Sequence, residues 1–274
     1  MSPSPEVPGR SRGFVMPIGG AEEREDSPAI LEHFVGLCGG DDARIAIIPT
    51  ASELPDTGDK YVAFFEAIGV AQAVSLPVSE RAEANREDYL EALDDASGIF
   101  ITGGNQLRLS TILGGTEFAQ KIRRLNAEGT CVAGTSAGAA IMPEHMIAGG
   151  STGVQPSRDG VNLAPGLGLT NSVLIDQHFS QRDRLGRLLT AISYNPFLIG
   201  VGIDEDTAIV IDSEQQFEVI GSGAVTVIDP SELSYSSMAS AGREDSLSML
   251  DLKMHILSTG CRYDIATRTP SPPE

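Results

Sequence analysis

The sequence is poor in basic residues and in cysteine. Its 274 residues include 38 acidic and 19 basic side chains, and the formal net charge is -19. A phosphate backbone binds to basic surfaces, so this balance argues against nucleic-acid binding and favours a cationic partner. The cysteines, Cys38, Cys131 and Cys261, are odd in number and form no Cys-x-x-Cys pair. They predict a reducing compartment, hence a cytoplasmic protein, and no zinc site.

Long apolar runs are also missing. Residues 1–12 have no apolar segment of the kind found in signal peptides, and no later run approaches membrane-spanning length. We therefore expect no membrane segment, a flexible leader over residues 1–12 and a frayed tail over residues 268–274, which contain three prolines. Residues 13–267 suffice for a single large α/β domain with an ample core.

Strand and helix patterns alternate in the first half of the chain, and strand patterns dominate the second half. Predicted parallel strands are Phe14–Ile18, Arg44–Pro49, Ala73–Leu76, Gly98–Thr102 and Thr130–Ala133. Predicted helices are Pro28–Leu37, Asp59–Ile68, Asn85–Leu93 (with Asn85 as its cap) and Glu117–Ala127. Later strands are Val173–Asp176, Ile199–Ile203, Ala208–Ile211, Phe217–Ile220, Ala224–Ile228 and Leu252–Leu257, with a surface loop over residues 231–248. This order predicts a doubly wound, mostly parallel sheet flanked by helices, with an antiparallel C-terminal extension.

A serine between two glycines stands where a predicted strand turns into a helix. The stretch "GTSAGAA", residues 134–140, follows the fifth strand pattern. A serine at the apex of such a turn is the arrangement of a nucleophile elbow, in which helix N–H groups can bind an oxyanion. A glycine-rich turn or a phosphate-binding loop with an incidental serine gives the same pattern. Ser136 is therefore a candidate nucleophile, and the N–H of Ala137 a candidate oxyanion donor.

A serine nucleophile needs a base, and the sequence has four histidines. His178 follows "SVLIDQ", so it lies at the carboxyl end of a predicted strand, where open α/β sheets build their sites. His33 lies in an amphipathic helix pattern, His145 follows the elbow helix, and His255 lies in a strand pattern. Structural roles suit these three better, so we predict His178 as the base.

An acidic run and a second glycine-rich loop supply further candidates. "GIDEDTA" places Asp204, Glu205 and Asp206 between two apolar strands, and spacing alone does not choose the one that would orient the imidazole. A solvated turn would have the same composition. "GGNQL", residues 103–107, also follows a strand, so Gly104 or Asn105 could donate the second oxyanion hydrogen bond, unless the loop is a plain turn. The amides of Asn105 and Gln106 are candidate substrate contacts.

Three arginines follow His178 closely in a chain with few basic residues. Arg182, Arg184 and Arg187 lie within six residues of one another, and arginine binds carboxylates bidentately. If a helix begins near Arg182, then Arg184 and Arg187 share one of its faces. We predict that at least one of them binds a substrate carboxylate and that one is structural.

Taken together, "GGNQLRL", "GTSAGAA", "DQHFSQRDRLGR" and "GVGIDEDTA" resemble the cyanophycinase family in order and approximate spacing. The resemblance covers about residues 14–267. It implies a class I glutamine-amidotransferase-like fold and a homodimer. It also implies a serine exopeptidase that cleaves cyanophycin, a polyaspartate with arginine on each β-carboxylate, to β-aspartyl-arginine dipeptides without metal or organic cofactor.

The same resemblance assigns roles to individual residues. It places the nucleophile at Ser136, the base at His178 and the acid at Glu205. The substrate contacts that it implies are Gln106, Asp176, Gln177, Arg182, Arg184 and Arg187. Phe179 and Ser180 follow His178, so the His-x-Glu arrangement of the glutamine amidotransferases is missing, and glutaminase chemistry is not expected.

Three alternatives stay open from the sequence. An aspartyl dipeptidase of the same family would use the same triad on a smaller substrate, although the arginine cluster favours the polymer. An α/β-hydrolase esterase would pair Ser136 with His255 and leave His178 unexplained. A binding or stress protein would keep the fold without activity, which an intact serine, histidine and glutamate set disfavours.

Overall fold

The structure, a computed structural model, describes residues 2–243 and 245–273. Its strands are β1 (Val15–Ile18), β2 (Arg44–Ile48), β3 (Gln72–Ser75), β4 (Gly98–Ile101), β5 (Cys131–Thr135), β6 (His145–Gly150), β7 (Val161–Pro165), β8 (Val173–Gln177), β9 (Ile199–Ile203), β10 (Thr207–Ile211), β11 (Gln216–Gly221), β12 (Ala224–Asp229), β13 (Tyr235–Ser236), β14 (Met249–Leu250), β15 (Lys253–Ser258), β16 (Arg262–Asp264) and β17 (Thr269–Ser271). Its helices are α1 (Ala29–Leu37), α2 (Thr57–Ile68), α3 (Glu87–Asp94), α4 (Gln106–Leu113), α5 (Glu117–Glu128), α6 (Ala137–Ala140) and α7 (Leu185–Tyr194).

The largest sheet has nine strands in the order β17-β16-β11-β10-β1-β5-β4-β2-β3. The five strands from β1 to β3 in this order are parallel, and β10, β11, β16 and β17 continue the sheet with antiparallel pairs. In β5 every residue is buried, as expected for the central strand of a sheet covered on both faces. The predicted mixed α/β architecture with a large sheet and flanking helices is confirmed.

Four of the predicted strands form a second sheet. Strand β8, which ends just before His178, pairs parallel with β9, and β12 and β15 complete a four-stranded sheet in the order β15-β12-β9-β8. Helix α7 packs on this sheet through Leu188 and Ile192. The period of a strand pattern does not reveal which sheet the strand joins, so this division was not foreseen.

Apolar clusters cover both faces of the large sheet. On one face Phe34 of α1 and Phe65 of α2 pack against Phe100 of β4, with ring centroids 5.3–6.1 Å apart. The other face carries the larger cluster, which includes residues of α4, α5 and α6. Because β1, β5, β4 and β2 are parallel, their carboxyl ends meet at one edge of this sheet, which is packed on both faces.

Several element boundaries differ from the predictions. Helix α4 was not foreseen; the side chain of Asn105 caps it by accepting the N–H groups of Leu107 and Arg108 at 3.0 and 3.3 Å. Asn85 does not cap α3, because Arg86 is the residue before that helix.

The C-terminal tail, predicted to be frayed, instead forms an edge strand. Thr269–Ser271 pairs with β16, and Arg268 forms an ion pair with buried Asp229. Pro270 fits this strand because an edge strand tolerates a missing N–H. In the predicted loop over residues 231–248, Tyr235–Ser236 pairs with β14. Met1, Glu244 and Glu274, which belong to the predicted leader, loop and tail, lie outside the described residues.

Within residues 2–243 and 245–273, no helix has the length and apolar character needed to cross a membrane.

Candidate active site

Ser136 lies at the tight turn between β5 and α6. Its φ of +53° is unusual for a residue with a side chain, and its own N–H donates to the carbonyl of Ile18 at 3.0 Å. A Cβ on Gly134 would lie 2.7 Å from the backbone of Gly138, and one on Gly138 would lie 2.1 Å from the carbonyl oxygen of Ile101. The two glycines thus let the turn fold back on the sheet, which is the geometry of a nucleophile elbow.

The three predicted triad residues lie in one hydrogen-bonded chain. Ser136 Oγ is 2.9 Å from His178 Nε2, and His178 Nδ1 is 2.6 Å from Glu205 Oε1. The serine comes from the large sheet, the histidine follows β8 of the second sheet, and the glutamate lies between β9 and β10. This arrangement can transfer a proton from the hydroxyl to the imidazole while the carboxylate holds the opposite ring nitrogen.

The environment of His178 favours its neutral form. Burial lowers the pKa of His178 below its usual value, the hydrogen bond that Glu205 accepts from the ring acts in the opposite direction, and the charges of Arg182 and Arg184 lower the pKa further. The imidazole is therefore neutral near pH 7 and able to accept the serine proton.

The backbone holds the imidazole in place. His178 has a φ of +46°, and its N–H donates to the carbonyl of Gly19 at 2.8 Å. Gly20 lies directly against the ring: a Cβ at that position would be 2.4 Å from His178 Cε1 and 2.5 Å from Nε2. The loop after β1 therefore forms one wall of the histidine pocket, a contact that no sequence pattern predicts.

Only one residue of the acidic run faces the imidazole. Asp204 Oδ1 accepts the N–H of Ser180 at 2.9 Å, and Asp206 Oδ1 accepts the N–H of Glu23 at 3.0 Å. Both carboxylates stabilise loops around the site. Glu205 is left to contact His178, and Gln181 Oε1 accepts the backbone N–H of Glu205 at 3.0 Å.

The glycine-rich loop after β4 lies beside the serine. A Cβ on Gly103 would be 3.3 Å from Ser136 Cβ, and Gly104 has a φ of +141° with its Cα against the carbonyl of Ala51. The N–H of Asn105 donates to that carbonyl at 2.8 Å, so it is not available for an oxyanion. Of the two predicted donors in this loop, Gly104 remains, opposite Ala137 at the start of α6.

Two of the three arginines are buried in an ion cluster with Asp176. Arg187 donates through Nε to Asp176 Oδ2 at 2.6 Å and through Nη2 to Oδ1, and Arg184 Nη1 lies 3.4 Å from Oδ1. Asp176 is 1% exposed and Arg187 5%. Asp176 also accepts the N–H of Gln177, whose carbonyl accepts from Arg184. The structure therefore places Asp176, Arg184 and Arg187, predicted as substrate contacts, as supports of the segment before His178.

Burial lowers the pKa of the Arg184 guanidinium to about 10, with a further contribution from the charge of Arg187. Helix α7 begins at Leu185 rather than near Arg182, so Arg184 precedes the helix instead of sharing a face with Arg187.

The other predicted substrate contacts differ in accessibility. Arg182 is exposed, and its charge lowers the pKa of His178. Gln177 Oε1 is 3.4 Å from Ser136 Oγ, although Gln177 is 3% exposed. The amide nitrogen of Gln106 donates to the carbonyl of Ala148 at 3.0 Å, which ties α4 to β6. Arg182 is thus the charged member of the predicted set that solvent and substrate can reach.

A buried carboxylate beneath the elbow was missed by the sequence analysis. Glu22, 4% exposed, accepts from Thr135 Oγ1 at 2.5 Å and from the Tyr61 hydroxyl at 2.9 Å, and forms an ion pair with Arg24 at 2.9 Å. Burial and the nearby Glu22 charge raise the pKa of Tyr61, so its hydroxyl stays a donor. Glu22 therefore fixes the residue before Ser136. The signal was the run "GGAEE" directly after β1, at the same sheet edge as the elbow.

The remaining histidines lie elsewhere. His33 is exposed on α1, His145 packs against Phe197 with ring centroids 6.5 Å apart, and His255 on β15 is 6.0 Å from the Tyr263 ring. None contacts Ser136, so the esterase alternative has no support from the geometry. Within the described part of the chain, no group of three or more His, Cys, Asp or Glu side chains is arranged to hold a metal ion.

Comparisons with known proteins show sequence similarity over most of the chain. The sequence profile of Peptidase family S51 matches residues 14–219. The chain is 44% identical over 261 residues to a cyanophycinase of Geminocystis herdmanii (strain PCC 6308), covering 94% of this chain and 96% of that protein. It is 41% identical over 268 residues to a cyanophycinase of Trichormus variabilis (strain ATCC 29413 / PCC 7937), covering 97% and 90%.

Among solved structures, a peptidase from an acI-B1 Actinobacterium has a similar fold. Its TM-score is 0.64 at 23% sequence identity, covering 90% of this chain and 98% of that one.

Proposed function

Because the chain belongs to peptidase family S51 and is a peptidase, we propose that it is a serine exopeptidase that cleaves cyanophycin and releases β-aspartyl-arginine dipeptides. The observation that carries this proposal is the chain Ser136–His178–Glu205, with contacts of 2.9 and 2.6 Å on a nucleophile elbow. The names of the two cyanophycinases, at 44% and 41% identity, support the substrate.

The reaction would begin at Ser136. Its oxygen attacks the main-chain carbonyl carbon, and its proton passes to His178 Nε2. The resulting oxyanion accepts hydrogen bonds from the N–H groups of Ala137 and Gly104. When the peptide bond breaks, His178 returns the proton to the leaving amine and an acyl-serine remains.

Water then completes the reaction. His178 takes a proton from water, the hydroxide attacks the acyl carbon, and the serine leaves with the proton that His178 returns. Glu205 accepts the hydrogen bond from the Nδ1–H of His178 and stabilises the imidazolium in each half-reaction. Because the burial of His178 lowers its pKa, the base is neutral when the cycle starts.

Recognition of the chain end is assigned to Arg182. It is exposed four residues after His178, and its charge acts on the imidazole, whereas Arg184 and Arg187 are occupied by Asp176. Its guanidinium would bind the free carboxylate of the terminal residue in a charge-assisted pair. The pocket around the scissile bond would be shaped by Gln106, Gln177 and Asn105. The ion cluster of Asp176, Arg184 and Arg187 would hold the segment that carries Gln177 and His178 in position.

We further propose a homodimer in the cytoplasm, with residues 13–267 as a single catalytic domain. The class I glutamine-amidotransferase-like classification, with an antiparallel C-terminal extension, belongs to the same proposal. The mixed sheet and the elbow support the classification, and the cysteine pattern supports the compartment.

The test is a comparison of substrates with one enzyme preparation. Purified protein is incubated with cyanophycin and, separately, with a panel of free Asp-X dipeptides, and the products are identified by mass spectrometry. We expect β-aspartyl-arginine from the polymer and little hydrolysis of the dipeptides. Hydrolysis of the dipeptides with an intact polymer would assign the protein as an aspartyl dipeptidase instead.

A further inference from the structure

A groove lies at the same sheet edge as the elbow, on the side away from His178. It is formed by segments 49–55 and 77–79, which follow β2 and β3, and by Arg108 of α4. Its volume is about 390 Å³, within the range of pockets that bind small molecules. We refer to it as the β2–β3 groove.

The glycine-rich loop after β4 lies between the groove and Ser136. Gly103 lies against Ser136, and the next residue, Gly104, lies against the backbone of Ala51 and Ser52 at the start of the groove. Strands β5, β4 and β2 are neighbours, so the groove begins about 10 Å from the serine, two strand spacings away. About three extended residues span that distance.

The direction of the polymer follows from the proton transfer. His178 must protonate the leaving amine, so the residue that leaves lies on the His178 side of Ser136. The acyl part stays on the serine and extends the other way, over Gly103 and Gly104. The units that remain on the polymer therefore run toward the β2–β3 groove.

Two unpaired charges of opposite sign line the groove. Among the described residues, neither Glu53 nor Arg108 has an oppositely charged partner within 4.0 Å, and they do not pair with each other. The Arg108 Nε donates to the carbonyl of Thr50 at 2.9 Å, which fixes the guanidinium at the groove. Leu54, 64% exposed, adds an apolar surface to the lining of the groove.

The branches of the substrate carry the complementary pair. In β-aspartyl-arginine the aspartate side chain is bonded to the α-amine of arginine, so the α-carboxylate and the guanidinium are free. We propose that the β2–β3 groove is a second substrate site that binds the zwitterionic arginine branch of a polymer unit about three residues from the scissile bond. Glu53 binds its guanidinium, Arg108 its carboxylate and Leu54 its methylene stem. This inference rests on the proposed function.

The test compares oligomers of two and six β-aspartyl-arginine units. For Glu53→Gln and Arg108→Met we expect KM for the six-unit oligomer to rise about three- to tenfold with kcat unchanged, since each exposed pair contributes modestly. Both parameters for the two-unit substrate should stay at wild-type values, because that substrate does not reach the groove.

Two matched variants control for loss of surface charge. Arg44→Met removes an exposed arginine at the opposite end of β2, and Glu66→Gln removes an exposed glutamate on α2. Neither should change KM for either oligomer. A six-unit oligomer with citrulline in place of arginine carries no guanidinium, so Glu53→Gln should have no effect on its KM.

The outcomes separate the two proposals. If the wild type degrades cyanophycin but Glu53→Gln and Arg108→Met leave the KM for the six-unit oligomer unchanged, the groove assignment is wrong and the proposed function stands. If the wild type does not cleave either oligomer or the polymer, both proposals are wrong. Equal increases on both oligomers would place the two residues at the scissile bond and also overturn the groove assignment.

Discussion

Replacing Gly20 by alanine should inactivate the enzyme without removing any reacting group. The new Cβ would lie 2.4 Å from His178 Cε1, whereas ordinary contacts start near 3.4 Å. Relief of this overlap moves the ring by about 1 Å, and a displacement of that size costs roughly a hundredfold in rate. We expect kcat/KM to fall by about that factor, chiefly through kcat, because the Ser136–His178 hydrogen bond is the contact that is lost.

A second glycine separates this effect from backbone strain. Gly69 has the same φ of +102°, at the end of α2, but a Cβ there meets nothing within 4 Å. Alanine at either position has an unfavourable backbone conformation that costs about 1–2 kcal/mol. Gly69→Ala should therefore lower the melting temperature and keep wild-type kcat/KM. If Gly20→Ala keeps full activity, the ring does not occupy the catalytic position described above.

Three further predictions concern the triad and the chain end. His178→Ala should reduce kcat/KM as much as loss of Ser136, and the double variant should be little worse than either. His255→Ala should retain activity. If a steady-state assay shows activity in His178→Ala and none in His255→Ala, the esterase pairing is favoured. Glu205→Gln should lose less activity than His178→Ala. Because the Glu205 carboxylate raises the His178 pKa, its removal should shift the acidic limb of the kcat/KM–pH profile to lower pH. An unshifted limb with full activity would remove Glu205 from the triad. Arg182→Met should lose about ten- to a hundredfold in kcat/KM on short substrates with a free carboxyl end but little on amidated ones; equal losses on both would assign terminal recognition to another group.

The candidate serine and histidine could be found from the sequence because each follows a buried strand. A strand pattern fixes where its carboxyl end lies, and sites of α/β proteins are built there. Ser136 and His178 therefore had to lie at strand ends, although their strands belong to different sheets. The choice of sheet depends on pairing partners distant in sequence, and local periodicity carries no record of them.

The acidic run and the arginine cluster show what spacing leaves undecided. Asp204, Glu205 and Asp206 are consecutive, and loop geometry alone directs the middle side chain to His178. Resemblance to a family selected Glu205; the residues themselves did not. Likewise Arg182 and Arg187 look equivalent in sequence, but Arg187 is buried on Asp176 and Arg182 is exposed, because α7 starts only at Leu185.

The proposed function depends most on Ser136 as the nucleophile of a cyanophycin-cleaving peptidase. The most direct measurement is the initial rate of β-aspartyl-arginine release from cyanophycin by wild type and by Ser136→Ala, with circular dichroism to verify that both are folded. We expect dipeptide release by the wild type and a loss of roughly four to six orders of magnitude in the variant. Release by Ser136→Ala at near the wild-type rate would contradict it.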